Sequence, residues 1–566
     1  MSSFKVIDDA IQQHGDKNFC TNKSSISEPP ISWREFRDYY LTLVNFFEKI
    51  GLRSGGKVGI FSSTRIEWNI IDFACLYYGA ITIGFYKNDR DKVIEYELRE
   101  TTPDILFVEN YDDLKKIQQL DSDWGWNKPV VILDASHSDA PPIYHFSQII
   151  GGDAFHPSKL PVNEHPDVIA SYIFTSGTTS TPKIAVLNQA SLIHSAQVYA
   201  NHYPVSSKDS TILYLPFSHV FSRVMFYASV LWGTEHIYES NPNNLASSLT
   251  QHNPSILLAV PRILEKVKNH IDQKISSMTL VGQILVKACI NLSGYLQGNA
   301  NRPSTLLLDL IDKALLKKFR APFGNNIRFM GAGGGQLDPK VARFFYAIGI
   351  PVYEGYALTE TGGLGVFNHP ASSKIDSIGT RNDACEVVLA NDGEIHISSP
   401  SNAVGYLSKG EISDLPNPYP TGDIAKQDKS GFLKIIGRKK EIIVTSNGKN
   451  ISPSHIESAL KANLIIEDAI VFGEGKPYLT AAIVINSDYG LDACDSEKVS
   501  EAIKKTNLCL SRHETIKQYF IAAPFEINSG TLTPTLKKRR EAIQELYKNE
   551  IEHLYSQPVA TAAYSS

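Results

Sequence analysis

The amino-acid sequence predicts an α/β protein. It should have a large N-terminal domain of parallel-sheet α/β subdomains with a small β-rich subdomain, followed by a small mobile α+β C-terminal domain. Three observations predict this. At 566 residues the chain exceeds what one simple core accommodates. Short apolar runs alternate with helix-period segments from Ser32 to Met330. After Gly355 the texture changes to short strands broken by turn residues.

Taken in order, the helical pattern Trp33 to Ile50 precedes the strand-like runs Lys57 to Phe61, Ile105 to Val108 and Val130 to Leu133. This is the alternation of parallel strands and crossover helices. A second set, Ile212 to Leu215, Ser255 to Val260 and Ile327 to Met330, repeats it. Val267 to Phe323 is helix-rich, with Leu306, Leu307, Leu308, Leu310, Ile311, Leu315 and Leu316 opposite Asp309, Lys313, Lys317, Lys318 and Arg320. Packing onto the parent domain is the expected fate of that face, and contact with a membrane surface is the alternative. Strands Glu386 to Leu389, Glu394 to Ser398 and Phe432 to Ile436 follow, with hairpin turns at Asn391-Asp-Gly393 and Lys429-Ser-Gly431. From Ile442 the pattern is helix Ser454 to Ala462, strands Glu467 to Phe472 and Tyr478 to Ile485, then helices Ser496 to Asn507 and Leu536 to Ile551.

With 42% hydrophobic and 20% charged residues the composition is that of an ordinary globular protein. A formal charge of −5 argues against a broad nucleic-acid surface. Cys20, Cys75, Cys289, Cys385, Cys494 and Cys509 form no CxxC pair, as expected of reduced thiols in a cytoplasmic protein. No basic region followed by an apolar core opens the chain, and no run approaches the roughly 18 apolar residues of a spanning helix. A cytoplasmic location is therefore expected, with at most peripheral membrane contact.

The stretch Phe174-Thr-Ser-Gly-Thr-Thr-Ser-Thr-Pro-Lys183 has the chemistry of a phosphate grip. It follows an apolar run, and backbone N–H groups around Gly177, the hydroxyls and the mobile charge of Lys183 can all point at an anion. Its spacing is not that of the common P-loop, because Gly177 is followed by Pro182-Lys183-Ile184.

Further segments join it in order: Leu215-Pro-Phe-Ser-His-Val-Phe221 with Arg223, Ala259-Val-Pro-Arg-Ile-Leu-Glu-Lys266, Arg328-Phe-Met-Gly-Ala-Gly-Gly-Gly-Gln-Leu337 and Tyr353-Glu-Gly-Tyr-Ala-Leu-Thr-Glu-Thr361. Tyr419-Pro-Thr-Gly-Asp423, Gly437-Arg-Lys-Lys-Glu441, Ser446-Asn-Gly-Lys-Asn-Ile-Ser-Pro453 and Leu532-Thr-Pro-Thr-Leu-Lys-Lys-Arg-Arg540 complete the set. In this order they resemble the adenylate-forming superfamily of acyl-CoA synthetases, luciferases and adenylation domains, and most closely its long-chain fatty acyl-CoA synthetases. The resemblance runs from about residue 30 to residue 545.

The resemblance implies ATP-dependent activation of a carboxylic acid, a medium- or long-chain fatty acid, to acyl-AMP and pyrophosphate, followed by transfer to the thiol of coenzyme A. It also implies a role for each matching residue. Thr175, Ser176, Gly177, Thr178, Thr179 and Lys183 hold the β- and γ-phosphates. Glu360 helps hold Mg²⁺, and Thr359 contacts the α-phosphate. Gly333, Gly334 and Gly335 admit the adenine, with Tyr356 stacked beside it and Ala357 in the same motif. Asp423 takes the ribose hydroxyls, with Arg438 as the second ribose or phosphate contact. His219 gates the acyl tunnel or orients the carboxylate. Lys537 bridges carboxylate and α-phosphate, with Lys538 the alternative; Arg540, three positions on, sets the register in favour of Lys537. Lys440 matches the hinge, dividing the chain into domains 1–439 and 440–566, and Gly448 lines the pantetheine channel.

The chain departs from the family pattern at Ser180, Ile184 and Ala357, where glycine is usual. A positive φ at the first two would strain serine and, more so, β-branched isoleucine. Two rival readings stand beside the leading one. One is an acyl-AMP ligase that loads the thiol of an acyl carrier protein; the other is a catalytically impaired homologue that binds acyl groups or nucleotide.

Overall fold

The computed structural model describes residues 3–21, 30–120, 128–134, 143–151, 167–175, 182–298, 311–463, 465–486, 496–533 and 537–556. Among them two large sheets dominate the N-terminal part. The first runs in the order Glu411–Asp414, Gly405–Ser408, Lys183–Asn188, Ile169–Thr175, Ile81–Gly84, Lys57–Phe61, Ile105–Val108, Val130–Ile132, Ile143–His145. Its ladder is parallel from Ile169–Thr175 to Ile143–His145 and antiparallel on the other side. The second sheet orders Val366–Phe367, Val352–Tyr356, Phe329–Ala332, Ile256–Ala259, Ser210–Leu213, Glu235–Tyr238, Asn18–Cys20 and Ile31–Ser32, and is parallel except at its two ends.

Each helix follows from its local sequence. Trp33–Lys49 starts where the Ser32 hydroxyl accepts from Glu35 N–H while the Glu35 carboxylate accepts from Ser32 N–H, a reciprocal capping box. Ile66–Tyr78 is apolar on nearly every side and is buried accordingly, ending at Gly79 with φ +79°. Val220–Trp232 is buried over most of its length, and the His219 ring caps its N-terminus. One continuous core links these helices to strands of both sheets, so the two sheets and the helices between them form one packed body.

The expected strands appear within two or three residues of their predicted limits, and Lys57–Phe61, Ile105–Val108, Glu386–Leu389 and Glu394–Ser398 match residue for residue. Two features differ from expectation. The small β-rich region forms a four-stranded antiparallel sheet of Glu386–Leu389, Glu394–Ser398, Tyr419–Gln427 and Leu433–Arg438, but Gly405–Ser408 leaves it and pairs with Lys183–Asn188. A strand's partner is chosen by tertiary packing, which local pattern does not encode. The C-terminal helix expected over Leu536 to Ile551 is two helices, Arg540–Leu546 and Lys548–Ser556, broken at Tyr547. There the Tyr547 hydroxyl accepts from Ala523 N–H, turning the chain onto the neighbouring strand. On the face expected over 306–316, Ile311 and Leu316 are buried, while 306–310 lie outside the described residues. That burial agrees with packing onto the parent domain; a separate exposed apolar surface lies on Leu280–Gly298.

The C-terminal part packs Pro453–Lys461 and Ser496–Asn507 on a three-stranded sheet of Ile466–Phe472, Leu479–Ile485 and Ile516–Ala522. Cys20, Cys75, Cys289, Cys385 and Cys509 are unbridged. No helix among the described residues is long and apolar enough to cross a membrane.

Candidate active site

Strand Ile169–Thr175 and its partner Lys183–Asn188 form a hairpin whose feet, Thr175 and Lys183, face each other across the ladder. Between them Ser176, Gly177, Thr178, Thr179 and Ser180 lie outside the described residues. Ile184, where strain was expected if φ were positive, is a buried strand residue opposite Phe174, a setting that suits a β-branched side chain. Ala357 is also absent from the residues with positive φ, so neither departure strains the backbone.

A cavity of about 620 Å³ opens beside this hairpin. At its polar end it is lined by Thr175, Lys183, Thr359, Glu360, Arg438, Lys439, Lys440 and Lys537. Lys183 Nζ lies 4.7 Å from the centre of the Tyr406 ring, and the Tyr406 hydroxyl donates to Glu360 Oε1 at 2.7 Å. Tyr419 joins at 3.0 Å from the Tyr406 hydroxyl. Tyr406 therefore links the lysine and the carboxylate, yet it sits in the short strand Gly405–Ser408 with no motif around it. The sequence carries no signal for its role, which depends on that strand crossing to the N-terminal sheet.

An arm of the cavity lined mostly by apolar side chains runs past Tyr199, Leu213, Phe221, Met225, Leu257 and Trp232. Met225, Ser229 and Trp232 line it from one face of the helix Val220–Trp232, at spacings of four and three. His219 caps that helix and also lines the cavity: its Nδ1 accepts from Phe221 N–H at 3.2 Å, which leaves the proton on Nε2. Burial, followed by the nearby charge of Lys537, pushes His219 down to about 3. The ring is thus a neutral hydrogen-bond donor throughout the physiological range.

Gly333 and Gly334 line the cavity. A Cβ on Gly333 would meet the Phe221 ring at 3.1 Å, and Gly334 has φ +80°. Gly335, Tyr356, Asp423 and Gly448 do not line it, against expectation. Asp423 is buried behind it, where Oδ1 pairs with Arg438 Nε at 3.0 Å and Oδ2 accepts from the Tyr356 hydroxyl at 2.7 Å. The Tyr356 hydroxyl thereby fixes the direction of the Asp423 carboxylate. Gly448 has φ +70° with no atom within 4 Å of an added Cβ. Its backbone conformation, and not space, requires glycine in this orientation of the C-terminal part.

The structure separates the two candidate lysines. Lys538 Nζ pairs with Glu457 at 2.9 Å and Asp468 at 3.1 Å, and Arg540 Nη2 meets the same Glu457 at 2.6 Å. Burial raises the Glu457 pKa, but Arg540 and Lys538 outweigh it and hold the carboxylate at about 2. These two cations fasten the turn from inside the C-terminal part. Lys537 is solvent-exposed at the cavity mouth, which it lines, and its backbone N–H donates to Thr533 Oγ1 at 3.0 Å. The surrounding protein, which displaces part of its water, and the adjacent Arg438 lower its pKa.

The family model for AMP-binding enzymes matches residues 7–407, and the model for the C-terminal domain of AMP-binding enzymes matches residues 440–558. The chain is 29% identical over 544 residues to the long-chain-fatty-acid–CoA ligase FadD15 of Mycobacterium bovis, covering 90% of this chain and 89% of that protein. It is 23% identical over 615 residues to the long-chain-fatty-acid–CoA ligase ACSBG2 of Xenopus laevis, covering 97% and 83%. Among solved structures, the anthranilate CoA ligase AuaEII with anthranoyl-AMP superposes with a TM-score of 0.76 at 16% identity, covering 98% of both chains. The adenylation domain of the carboxylic acid reductase from Segniliparus rugosus, with AMP and a carboxylic acid, gives 0.76 at 16%, covering 98% of this chain and 94% of that one.

Proposed function

The chain belongs to the AMP-binding enzyme family, and from that premise we propose that it is an AMP-forming acyl-CoA ligase acting on a medium- or long-chain fatty acid. The observation that carries this is a single cavity with a long apolar arm and a cationic mouth, His219 lining it at the N-terminus of the helix that flanks the arm. The ligases similar in sequence are named for long-chain fatty acids, which supports an acyl chain in the arm.

In this reading the acyl carboxylate lies near His219 Nε2–H and Lys537 Nζ. One carboxylate oxygen attacks the α-phosphorus of ATP, the bond to the β-phosphate breaks, and pyrophosphate leaves. Charge grows on the phosphoryl oxygens as this happens. Lys537 bridges the attacking carboxylate and the α-phosphate, Thr359 donates to the α-phosphate, and Thr175, Lys183 and residues 176–179 hold the departing β- and γ-phosphates. A neutral His219 orients the carboxylate without adding a cation that would repel Lys537. Asp423 keeps acceptor capacity on both oxygens, and the reading gives it the ribose hydroxyls with Arg438 beside it.

Magnesium enters with ATP, and the residues suit it. No group of three or more His, Cys, Asp or Glu that would cage a metal occurs among the described residues. A Mg²⁺ ion is commonly held through one or two carboxylates plus substrate phosphates, and Glu360 supplies one. Bound there, it would shield the phosphate charge.

In the second step the coenzyme A thiolate attacks the acyl carbon and AMP leaves. We assign Lys440, in the turn Lys439–Glu441, to the hinge that swings the C-terminal domain (440–566) between steps, and Gly448 to the thiol channel formed after the swing. A carrier-protein thiol is the alternative acceptor. The exposed apolar stripe on Leu280–Gly298 supports peripheral contact with a membrane as the source of the acid.

The test is pyrophosphate exchange over a panel of acids, followed by thioester detection with coenzyme A and with a carrier protein. Exchange with long-chain acids and thioester with coenzyme A are expected. No exchange with any acid would leave only nucleotide or acyl binding.

A further inference from the structure

One helical turn beyond His219, Arg223 is 1% exposed and does not line the cavity described above. Its Nε donates to Asp72 Oδ2 at 2.9 Å, and its Nη2 pairs with Asp72 Oδ1. Nη1 donates to Ser171 Oγ at 2.5 Å, and Ser171 Oγ in turn donates to the carbonyl of Thr82 at 2.7 Å. Asp72 also accepts from Tyr227 at 2.5 Å and from Thr82 Oγ1 at 2.9 Å. Asp72, Thr82 and Ser171 are fully buried. Four elements meet here: the helices Ile66–Tyr78 and Val220–Trp232, and the strands Ile81–Gly84 and Ile169–Thr175.

Two of those elements carry the two halves of the site. The helix of Arg223 starts at His219. The strand of Ser171 ends four residues later at Thr175, the foot of the phosphate hairpin. The desolvation of a buried ion pair offsets much of its attraction, so such a pair is weak evidence for stability and its use is better sought in geometry. A planar guanidinium held on two edges fixes both the rotation and the advance of its helix, which an apolar contact does not.

We propose that Arg223, through Asp72 and Ser171, is a positioning residue that sets the register between the His219 end of the acyl arm and the Thr175–Lys183 hairpin. In that register the carboxylate of the acid and the α-phosphate of ATP meet at attack distance. The proposal rests on the acid-activating reading above. Misplacement of reacting groups by about 1 Å costs roughly 10²-fold in rate, so the network acts on the adenylation step. Thiolysis of a preformed acyl-AMP does not need that register.

Three variants test it in the full chain: Ser171→Ala, Arg223→Lys, and the paired Asp72→Leu with Arg223→Met, which removes both charges together and so avoids leaving one buried alone. Thermal midpoint, kcat and KM for pyrophosphate exchange, and thioester formation from supplied acyl-AMP are measured for each. Ser171→Ala should keep a near-native midpoint while exchange kcat falls about tenfold and thiolysis is unchanged. The paired variant should fold and lose about 10²-fold in exchange, with Arg223→Lys recovering only part because it lacks the fork. Native exchange kcat in Ser171→Ala and in the folded paired variant would overturn the proposal. Backbone hydrogen exchange at Phe221 and Lys183 is the second readout: selective loss of protection at these amides in Ser171→Ala supports the proposal, and unchanged protection overturns it. If the native protein exchanges pyrophosphate with no acid, the acid-activating reading falls, and the amide comparison still decides on Arg223.

Discussion

At the residue scale, the run Lys537-Lys-Arg-Arg540 shows what a sequence leaves open. Four adjacent cations look alike in one dimension, and only register against a family pattern favours Lys537. In the structure Lys538 and Arg540 converge on Glu457, while Lys537 lines the cavity with Glu360 and Arg438. We expect Lys537→Ala to lower pyrophosphate exchange by about 10²–10³-fold, the range for removing one preorganised donor, with thioester formation from supplied acyl-AMP nearly unchanged. Equal losses in the two half-reactions would remove Lys537 from its role. Lys538→Ala should act differently, lowering the thermal midpoint, because Glu457 then loses one of two cationic partners. His219 was legible as a residue of interest; its neutrality was not, because that follows from burial and from Lys537, more than three hundred positions away.

At the scale of elements, strands whose pattern is purely local were legible to the residue, as at Lys57–Phe61 and Glu386–Leu389. Gly405–Ser408 was not, since its partner is Lys183–Asn188, and with it went Tyr406, the link between Lys183 and Glu360. The helix Leu280–Gly298 carries apolar side chains on both faces, with Val286 buried in the core. Ser293 packs inward, its hydroxyl on the Ala347 carbonyl at 2.8 Å, while Leu280, Val281, Ile284, Leu285 and Tyr295 are 59–72% exposed on one outer face. From Gln273 to Leu308 the chain has no acidic residue, whereas Lys274 and the exposed Lys287 are present. An apolar stripe edged by lysine and free of carboxylates suits an anionic bilayer surface. Val281→Asp with Ile284→Asp should cut co-sedimentation with phosphatidylglycerol-containing vesicles at least tenfold, since each buried aliphatic side chain contributes about 1.5–3 kcal/mol. Pyrophosphate exchange with a short water-soluble acid should stay native. Unchanged sedimentation would exclude this face as the contact.

At the scale of the whole molecule, the C-terminal part sits so that Lys537 lines the cavity together with residues of the N-terminal part. Glu265, on Pro261–Ser276, pairs with Lys461, on Pro453–Lys461, at 3.2 Å with both side chains about three-quarters buried. A Cβ on Gly530 would lie 3.1 Å from Arg90 Nη1. Breaking the Glu265–Lys461 pair should lower exchange by up to about fivefold, the scale of a partly exposed ion pair, and leave thioester formation from acyl-AMP equal or faster. The charge-swapped Glu265→Lys with Lys461→Glu should recover exchange. A swap that recovers nothing, or a loss common to both half-reactions, would show that the pair does not select this orientation.

The sequence by itself determined the order of elements, the hydroxyl-rich run over 174–183 and the ordered motifs, because periodicity and residue chemistry act over a few positions. Only the tertiary structure decided which lysine of the C-terminal run lines the cavity, that His219 is neutral, that Asp423 is paired with Arg438 and Tyr356, and that Arg223 is buried against Asp72 and Ser171. Each of these depends on charges and donors brought together from distant parts of the chain, and burial in a medium of low polarity makes those meetings strong enough to set geometry and protonation.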